Sequence, residues 1–173
     1  MILEGGQLMG VVGTEKPLFN CNKQSNVTIK NVTIKNSPRY ALFIRSCNGL
    51  KISNFTMKDM SKSTGGIRFD KGYASSNVTL SSIKASDVGG HAVELWDVDG
   101  YSIDSVDASR TTGCGLLVNR SKNGQIGTVT GDRNAQGGGY ATLRFANDNG
   151  KVSVKKVEIT KFRAGILQCE WES

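Results

Sequence analysis

Residues 26–44 read NVTIKNVTIKNSPRYALFI, and the string VTIKN occurs twice within them, five residues apart. An α-helix brings apolar side chains together at spacings of three and four, so this repeat does not fit a helix. In each copy apolar Val and Ile alternate with Thr and Lys, as in a strand with one buried face. The stretch therefore predicts two short strands joined by a tight bend near Asn31.

The same pattern returns along the whole chain. Six rows align: VTIKNVTIKN (27–36), LKISNFTMKD (50–59), VTLSSIKASD (78–87), YSIDSVDASR (101–110), GQIGTVTGDR (124–133) and VSVKKVEITK (152–161). The three apolar columns are Ile29, Ile52, Leu80, Ile103, Ile126, Val154; Val32, Phe55, Ile83, Val106, Val129, Val157; and Ile34, Met57, Ala85, Ala108, Gly131, Ile159. All three columns advance along the chain by the same series of steps, in which a shorter and a longer step recur. Repetition of this kind indicates a solenoid.

Each row has a second half that also alternates with period two. Its inward pairs are Leu42/Ile44, Ile67/Phe69, Val93/Leu95, Leu116/Val118 and Leu143/Phe145. Three short strands per row and no helix predict an all-β fold, a right-handed single-stranded parallel β-helix of about six to seven coils with three strands per coil. We expect a single domain over residues 1–173, incomplete relative to full-length β-helix proteins.

The ends of such a solenoid need covering, because an open coil exposes strand edges and apolar columns. No capping segment is recognised in the sequence, and Val152, Val154, Val157 and Ile159 would lie in the terminal layer. We therefore expect either a piece of a longer protein or a homo-oligomer that associates through its open coil ends.

The charge balance suits an anionic partner. The chain of 173 residues has 22 basic and 15 acidic side chains, a formal net charge of +7. This balance fits an acidic polysaccharide, a nucleic acid or an anionic lipid, and it equally serves solubility. No basic run is interleaved with aromatic residues and no apolar run has membrane-spanning length, so we expect no nucleic acid and no membrane.

The cysteines are Cys21, Cys47, Cys114 and Cys169. They are too dispersed along the chain for a zinc site, and we expect no metal. We interpret them as mostly buried thiols and leave a disulfide open.

The two longer rows carry their extra residues at 61–66, 70–76 and 134–140, beside the third strand. Insertions on a rigid solenoid often form sites. The outward columns of that strand are Phe43, Arg68, Glu94, Leu117, Arg144 and Arg45, Asp70, Trp96, Asn119, Ala146. Indole rings stack on sugar rings, and guanidinium groups pair with uronate carboxylates. We expect a sugar groove, with Arg68, Glu94, His91 and Arg144 as catalytic candidates and Arg45, Asp70, Trp96, Asn119 and Tyr140 as substrate-binding candidates.

The alternative for these columns is a set of structural ion pairs. Arg45–Asp70 and Arg68–Glu94 fall on neighbouring coils, where opposite charges stabilise a sheet. A separate corner column reads Asn36, Asp59, Asp87, Arg110, Arg133 and Lys161. Stacked carboxylates at Asp59 and Asp87 would be able to bind a cation or share a proton. At a solvated corner we expect neither.

The segment KPLFNCNKQSNVTIKNVTIKNSPRYALFI (16–44) resembles the part of polygalacturonase-type glycoside hydrolases that contains NVTIKNLTIKNSP, and LEGGQLMG (3–10) resembles their opening coil. These enzymes belong to the pectin lyase-like β-helix superfamily. The resemblance implies the scaffold and the substrate class. It does not imply the mechanism, which needs paired carboxylates. At the positions of the family's catalytic motifs this chain has Gly65, Gly90, His91 and Cys114, and Arg144 alone survives.

Together these observations predict a carbohydrate-active β-helix domain that binds, and in one version cleaves, an acidic polysaccharide, pectin-like or otherwise uronate-containing. Cleavage would make it a polysaccharide lyase or a glycoside hydrolase. In an elimination, Arg68 or Arg144 would take the proton, with Tyr140 or His91 assisting. We expect no cofactor, with Ca²⁺ allowed for a lyase, and a secreted or extracellular location, although no signal peptide is visible. The alternatives are a non-catalytic module of a surface or tail-fibre protein and a degenerate relative without a ligand.

Overall fold

The computed structural model describes residues 1–10, 16–138 and 140–161, and the backbone of residues 167–169. In chain order the strands in these ranges are β1 (Ile2–Glu4), β2 (Gln7–Met9), β3 (Phe19–Asn22), β4 (Thr28–Lys35), β5 (Tyr40–Arg45), β6 (Lys51–Lys58), β7 (Gly65–Phe69), β8 (Ser75–Val88), β9 (Val93–Trp96), β10 (Val98–Thr111), β11 (Leu116–Asn119), β12 (Lys122–Asp132), β13 (Leu143–Ala146), β14 (Gly150–Lys161) and β15 (Leu167–Cys169). No membrane-spanning helix occurs among the described residues.

The strands build two parallel sheets. Sheet A has the order β1-β4-β6-β8-β10-β12-β14, with β2 also paired to β4, and sheet B has the order β15-β13-β11-β9-β7-β5-β3. Each coil is therefore one long strand of sheet A followed by one short strand of sheet B, and each strand pairs with its equivalent one coil away. This confirms the predicted all-β parallel β-helix, with about six coils and a partial coil formed by β1 and β2.

The pairing also confirms the alignment of the rows. The first apolar column runs in register through Ile29, Ile52, Leu80, Ile103, Ile126 and Val154. The column from Val32 to Val157 follows the same pairs of strands. Because the sheets keep this register through coils of both lengths, the longer coils must place their extra residues outside the sheets.

The three strands predicted per coil occur as two elements, because the first two run together into one bent strand. The backbone turns left-handed at Asn31 (φ 57°), Asn54 (φ 50°) and Ser82 (φ 53°), inside β4, β6 and β8. Asn36, which ends the second VTIKN copy, also has a positive φ of 52°. Asparagine tolerates this conformation better than most residues do. The repeated Asn is therefore the residue that bends the coil.

The interior of the coils is closed and apolar. Members of the three sheet-A columns are buried from β4 to β12, and Phe55 and Phe69 are the largest fully buried side chains. Val154 in β14 is 38% exposed, since it belongs to the last long strand described. Tyr101 fills the space that the missing side chain of Gly124 leaves on the neighbouring strand. A Cβ at Gly124 would lie only 2.0 Å from Cζ of Tyr101.

The cysteines are not all thiols. Cys21 and Cys47 form a disulfide between neighbouring coils, with Cα atoms 6.6 Å apart, where the sequence left the pairing open. Cys114 is fully buried, as predicted. The side chain of Cys169 lies outside the described residues.

Candidate functional site

The outer face of sheet B, called the sheet-B face below, carries the two columns predicted as a groove. In the first column the neighbours in register are Phe43 and Arg68, Arg68 and Glu94, Glu94 and Leu117, and Leu117 and Arg144. In the second, Asn119 pairs with Trp96 and with Ala146. Parallel strands are about 4.8 Å apart. Arg68 and Arg144 are three coils apart, hence separated by about 14 Å, and they cannot act on the same sugar ring.

Glu94 is the centre of the N-terminal half of this face. It is only 6% exposed, although it points outward. Arg68 donates from Nη1 to Oε2 at 2.6 Å, and Trp96 donates from Nε1 to Oε1 at 2.6 Å. Both carboxylate oxygens are thus occupied, and Glu94 orients the indole ring. Burial by itself lowers the pKa of Arg68, but the charge of Glu94, its hydrogen bond and nearby groups outweigh burial and raise that pKa.

Asp70 bridges two guanidinium groups. Arg45 donates from Nε to Oδ2 at 2.8 Å, and Nε of Arg68 lies 3.5 Å from Oδ1. The Arg45 guanidinium also lies over the rings of Phe43 and Tyr73, 4.7 Å from each centroid. Both ion pairs of the alternative interpretation therefore exist. They also hold the aromatic side chains of the groove, because cation and ring attract one another.

Trp96 has two cations over its indole ring. Lys71 Nζ is 5.0 Å and the Arg120 guanidinium 5.3 Å from the ring. Arg120 also donates two hydrogen bonds to Asp97, at 2.8 and 2.7 Å, and these lower the pKa of the Asp97 carboxyl. The backbone N–H of Gly72 donates to the same carboxylate at 2.7 Å. The insertion at 70–76 is thereby attached to the sheet-B face.

Tyr40 lies beside this cluster at the start of β5. Its ring stacks on Phe43 with centroids 5.2 Å apart, and the Arg68 guanidinium is 5.7 Å from its centroid. Burial raises the pKa of the Tyr40 phenol more than the charge of Arg68 lowers it. The phenol therefore stays protonated and is able to donate a hydrogen bond.

His91 is half-buried at the edge of the sheet-B face. Its Nδ1 accepts a hydrogen bond from the backbone N–H of Cys114 at 2.8 Å, which assigns the proton of the neutral ring to Nε2. Its ring meets Tyr140 edge-on, with centroids 5.0 Å apart. Burial lowers the pKa of His91, and the charge of Glu94 opposes this only in part. At neutral pH His91 is therefore a neutral hydrogen-bond donor.

The C-terminal half of the face carries fewer charged side chains. Leu117, Asn119 and Ala146 are all buried, at 5%, 1% and 7% exposure. Asn119 accepts a hydrogen bond from Nδ2 of Asn147 at 2.8 Å. The Arg144 guanidinium lies 5.8 Å from the Tyr140 ring, which places both at the edge formed by the insertion 134–140. This half offers a small apolar floor with one cation at its border.

Five residues of the ring and cation cluster on the sheet-B face were not predicted as site residues: Tyr40, Phe43, Lys71, Tyr73 and Arg120. Lys71 and Tyr73 lie in an insertion that the coil lengths had marked, so the insertion was the available signal. Arg120 comes directly after β11 and has a positive φ of 42°, a corner where the alternation of the strand no longer predicts direction.

The corner column contains the ion pair Asp87–Arg110. At its end the strand register shifts, so that Lys161 pairs in register with Asp132 and not, as the row alignment predicted, with Arg133. Asp59, Asp87, Arg110 and Arg133 all have left-handed backbones, with φ between 52° and 55°. Arg110 donates from Nε and Nη2 to Asp87, both at 2.7 Å, and this lowers the pKa of the Asp87 carboxyl. Over the described residues, no three His, Cys, Asp or Glu side chains are grouped in a way that would hold a metal ion.

Comparison with known proteins agrees with the architecture. The family model described as "Right handed beta helix region" matches residues 18–173, and the chain belongs to this family. The match supports a place in the pectin lyase-like β-helix superfamily, whose domains occur in carbohydrate-active enzymes and also in other proteins. No curated protein matches the sequence, and no solved structure does.

Proposed function

We propose that the sheet-B face binds an acidic polysaccharide of the uronate-containing type, with the solenoid as a rigid platform. The observation that carries the proposal is the interleaving of rings and cations in the N-terminal half: Tyr40, Phe43, Tyr73 and Trp96 with Arg45, Arg68, Lys71 and Arg120. Aromatic rings supply apolar area for the faces of sugar rings. Guanidinium groups supply paired donors for carboxylates.

The cations of the face are not all equally available. The Arg68 side chain is 22% exposed and is engaged by Glu94 and Asp70. Arg45 and Arg120 are also paired, with Asp70 and Asp97, but their side chains are 39% and 40% exposed. Lys71 is exposed as well. A carboxylated sugar over Trp96 would therefore meet Lys71 and Arg120 first, while the Arg68–Glu94 pair keeps the indole in position.

The same geometry favours binding over chemistry at Arg68 and Glu94. Glu94 is only 6% exposed and accepts a hydrogen bond on each oxygen, from Arg68 and from Trp96, which disfavours a role as the base that activates water. The raised pKa of Arg68 opposes its use as a proton acceptor. Neutral His91 uses Nδ1 to accept from the backbone and keeps its proton on Nε2, which suits a donor to a sugar oxygen. We therefore propose that the scaffold and the ligand class are what this chain shares with polygalacturonases.

An elimination reaction is the second candidate, and its base would be Arg144. Arg144 borders Tyr140, which in turn contacts His91. A phenol, a neutral imidazole and a guanidinium thus lie together at one edge of the face. Such groups are able to remove and donate protons when the carbon next to a uronate carboxylate is deprotonated. Calcium has no assigned ligands in this scheme.

We propose a secreted or extracellular location for the domain. A disulfide such as Cys21–Cys47 persists in an oxidising environment and is rare in the cytosol. An acidic polysaccharide ligand would be met in the same compartment.

A calorimetric titration with oligogalacturonate tests the proposal, with the fully methyl-esterified oligomer as the matched uncharged ligand. We expect binding of the acid form and at least about tenfold weaker binding of the ester, since the carboxylates are the groups that the cations recognise. Trp96→Ala should weaken binding by about tenfold or more, and Gln125→Ala, on exposed sheet A, should leave it unchanged.

The outcomes separate the candidate functions. Equal affinity of the parent protein and the Trp96→Ala variant would place the ligand elsewhere. Absorbance of unsaturated products, lost in Arg144→Ala, would establish the elimination, and new reducing ends without that absorbance would indicate a hydrolase. An absence of binding to any uronate oligomer would favour the non-catalytic module of a surface or tail-fibre protein.

A further inference from the structure

The opposite side of the solenoid carries a second ordered set of charges. The outward side chains after the bend in the long sheet-A strands, called the split-charge face below, include one charged residue on each coil from β4 to β14. In order they are Lys35, Lys58, Lys84, Asp107, Asp132 and Glu158. Three lysines thus occupy the first three coils and three carboxylates the last three, where Lys161 at the end of β14 adds one cation in register with Asp132.

The remaining outward positions of this face are small and polar. In the pairing of the strands, Thr33 lies next to Thr56, and Thr56 next to Lys84. Ser86 lies next to Ser109. Short side chains leave the surface flat, so a second flat surface is able to approach it closely.

The charges on the first four coils of this face are poorly neutralised within the described part of the chain. Lys35 and Lys58 are stacked in register, and like charges directly opposite each other destabilise a sheet. Lys84 and Asp107 are also in register, at the point where the charged residues of the face change from basic to acidic. Over the part of the chain that the structure describes, none of these four forms an ion pair within 4.0 Å. Asp132 and Glu158 pair with Arg133 and Lys156.

We propose that the split-charge face pairs with the same face of a second copy of this chain, in an antiparallel dimer. A two-fold axis along the strand direction, between the third and fourth coils, reverses the order of the coils and keeps each column opposite itself. Lys84 then faces Asp107 of the second copy and Lys58 faces Asp132, whereas at the outermost coils Lys35 lies near both Glu158 and Lys161. This arrangement is isologous, because each pair occurs twice.

The change from lysines to carboxylates along the split-charge face favours a second copy of the chain over other partners. A polyanion would use the lysine half and would be repelled by the carboxylates of the other half, whereas the reversed face sets Lys58 and Lys84 opposite carboxylates. Complementary charges of this kind fix register and speed up encounter more than they add affinity.

The size of the face sets the strength of the dimer. Six coils at about 4.8 Å and a few residues of strand at about 3.3 Å give an area of roughly 300 Å² on each copy. This is well below the roughly 800 Å² per partner of stable complexes. The dimer is therefore weak, and it depends on salt because its pairs are exposed.

Sedimentation velocity from about 10 to about 500 µM, at about 20 mM and about 300 mM salt, tests the proposal. The parent protein should associate at the highest concentrations in low salt and dissociate in high salt. Lys84→Glu and Asp107→Lys should each abolish the association, since each sets like charges opposite one another twice. The double variant Lys84→Glu/Asp107→Lys should restore it. The double variant should melt like the parent, and the single variants, which place like charges in register within one chain, should melt only slightly below it because both positions are exposed.

Each other outcome counts against the split-charge face. A monomer at about 500 µM in low salt would overturn the proposal. Association that persists in both single variants would place the contact elsewhere, for example at the coil ends. Failure of the double variant to recover association, with both single variants monomeric, would contradict the two-fold register. None of these results bears on the sheet-B face, whose ligand is tested separately.

Discussion

The inward and outward sides of sheet B follow different rules. Inside, Leu42, Ile67, Val93, Leu116 and Leu143 repeat one kind of chemistry down the stack, and all are completely buried. Outside, the neighbouring column changes at every coil, from Phe43 to Arg68, Glu94, Leu117 and Arg144. An inward residue is bounded by its neighbours above and below, so only similar shapes fit. The outward side is free of that limit, and there the solenoid can carry a site.

The largest effect is expected from a charge placed inside. Ile103 is 1% exposed and lies between Leu80 and Ile126. Ile103→Asp buries an unpaired carboxylate and should cost more than about 3 kcal/mol in the free energy of unfolding. Ser102→Asp, its exposed neighbour, should change that free energy by less than about 0.5 kcal/mol. Thermal or urea unfolding measures both, and similar losses in the two variants would contradict the alternation of the strand.

A smaller loss of stability is expected at Glu94, an outward residue that is nearly as buried as the inward ones. Arg68→Met leaves the Glu94 carboxylate, whose side chain is 8% exposed, without its guanidinium partner. We expect a loss of about 1–3 kcal/mol, the cost of an unsatisfied buried polar group. The double variant Arg68→Met/Glu94→Gln should recover part of it, because the unpaired charge is removed. Urea unfolding that shows no loss in the single variant would mean that Glu94 is better solvated than its burial indicates.

The next effect is a dependence on pH. The folded-state pKa of His91 lies below its ordinary value of 6.5 because of burial. The unfolded chain therefore binds a proton at a higher pH than the folded chain does, and stability is lost as the pH falls through that unfolded value. Relative to His91→Gln, the parent protein should lose stability between about pH 7.5 and about pH 5.5. Parallel unfolding curves at each pH measure the difference, and a difference independent of pH would contradict a lowered pKa.

The smallest effect is expected at the solvated corner. Arg110 pairs with Asp87 through two hydrogen bonds, but the two side chains are 38% and 35% exposed. Exposed pairs contribute little, so Arg110→Ala should cost less than about 1 kcal/mol. Denaturant unfolding provides the value. A loss as large as that of Arg68→Met would show that the corner column, and not the sheet-B face, holds the coils together.

The sequence predicted those parts of the molecule that follow from the regular spacing of its repeated rows. The apolar columns, the register and the bend at Asn31 follow from alternation and from the two recurring coil lengths, and the strand pairs confirm them. The Cys21–Cys47 disulfide did not follow, because its sequence separation of 26 matches neither coil length. Tyr73 and Arg120 were missed for a related reason. They lie in a loop and at a corner, where side-chain direction depends on backbone conformation and not on strand period.

The most direct test of the sheet-B face is a crystal structure after soaking with oligogalacturonate. We predict an ordered sugar chain along the outside of sheet B, with one ring on the Trp96 indole and a carboxylate between Lys71 and Arg120. A chain ordered on sheet A, or sugar rings away from Trp96, would contradict it.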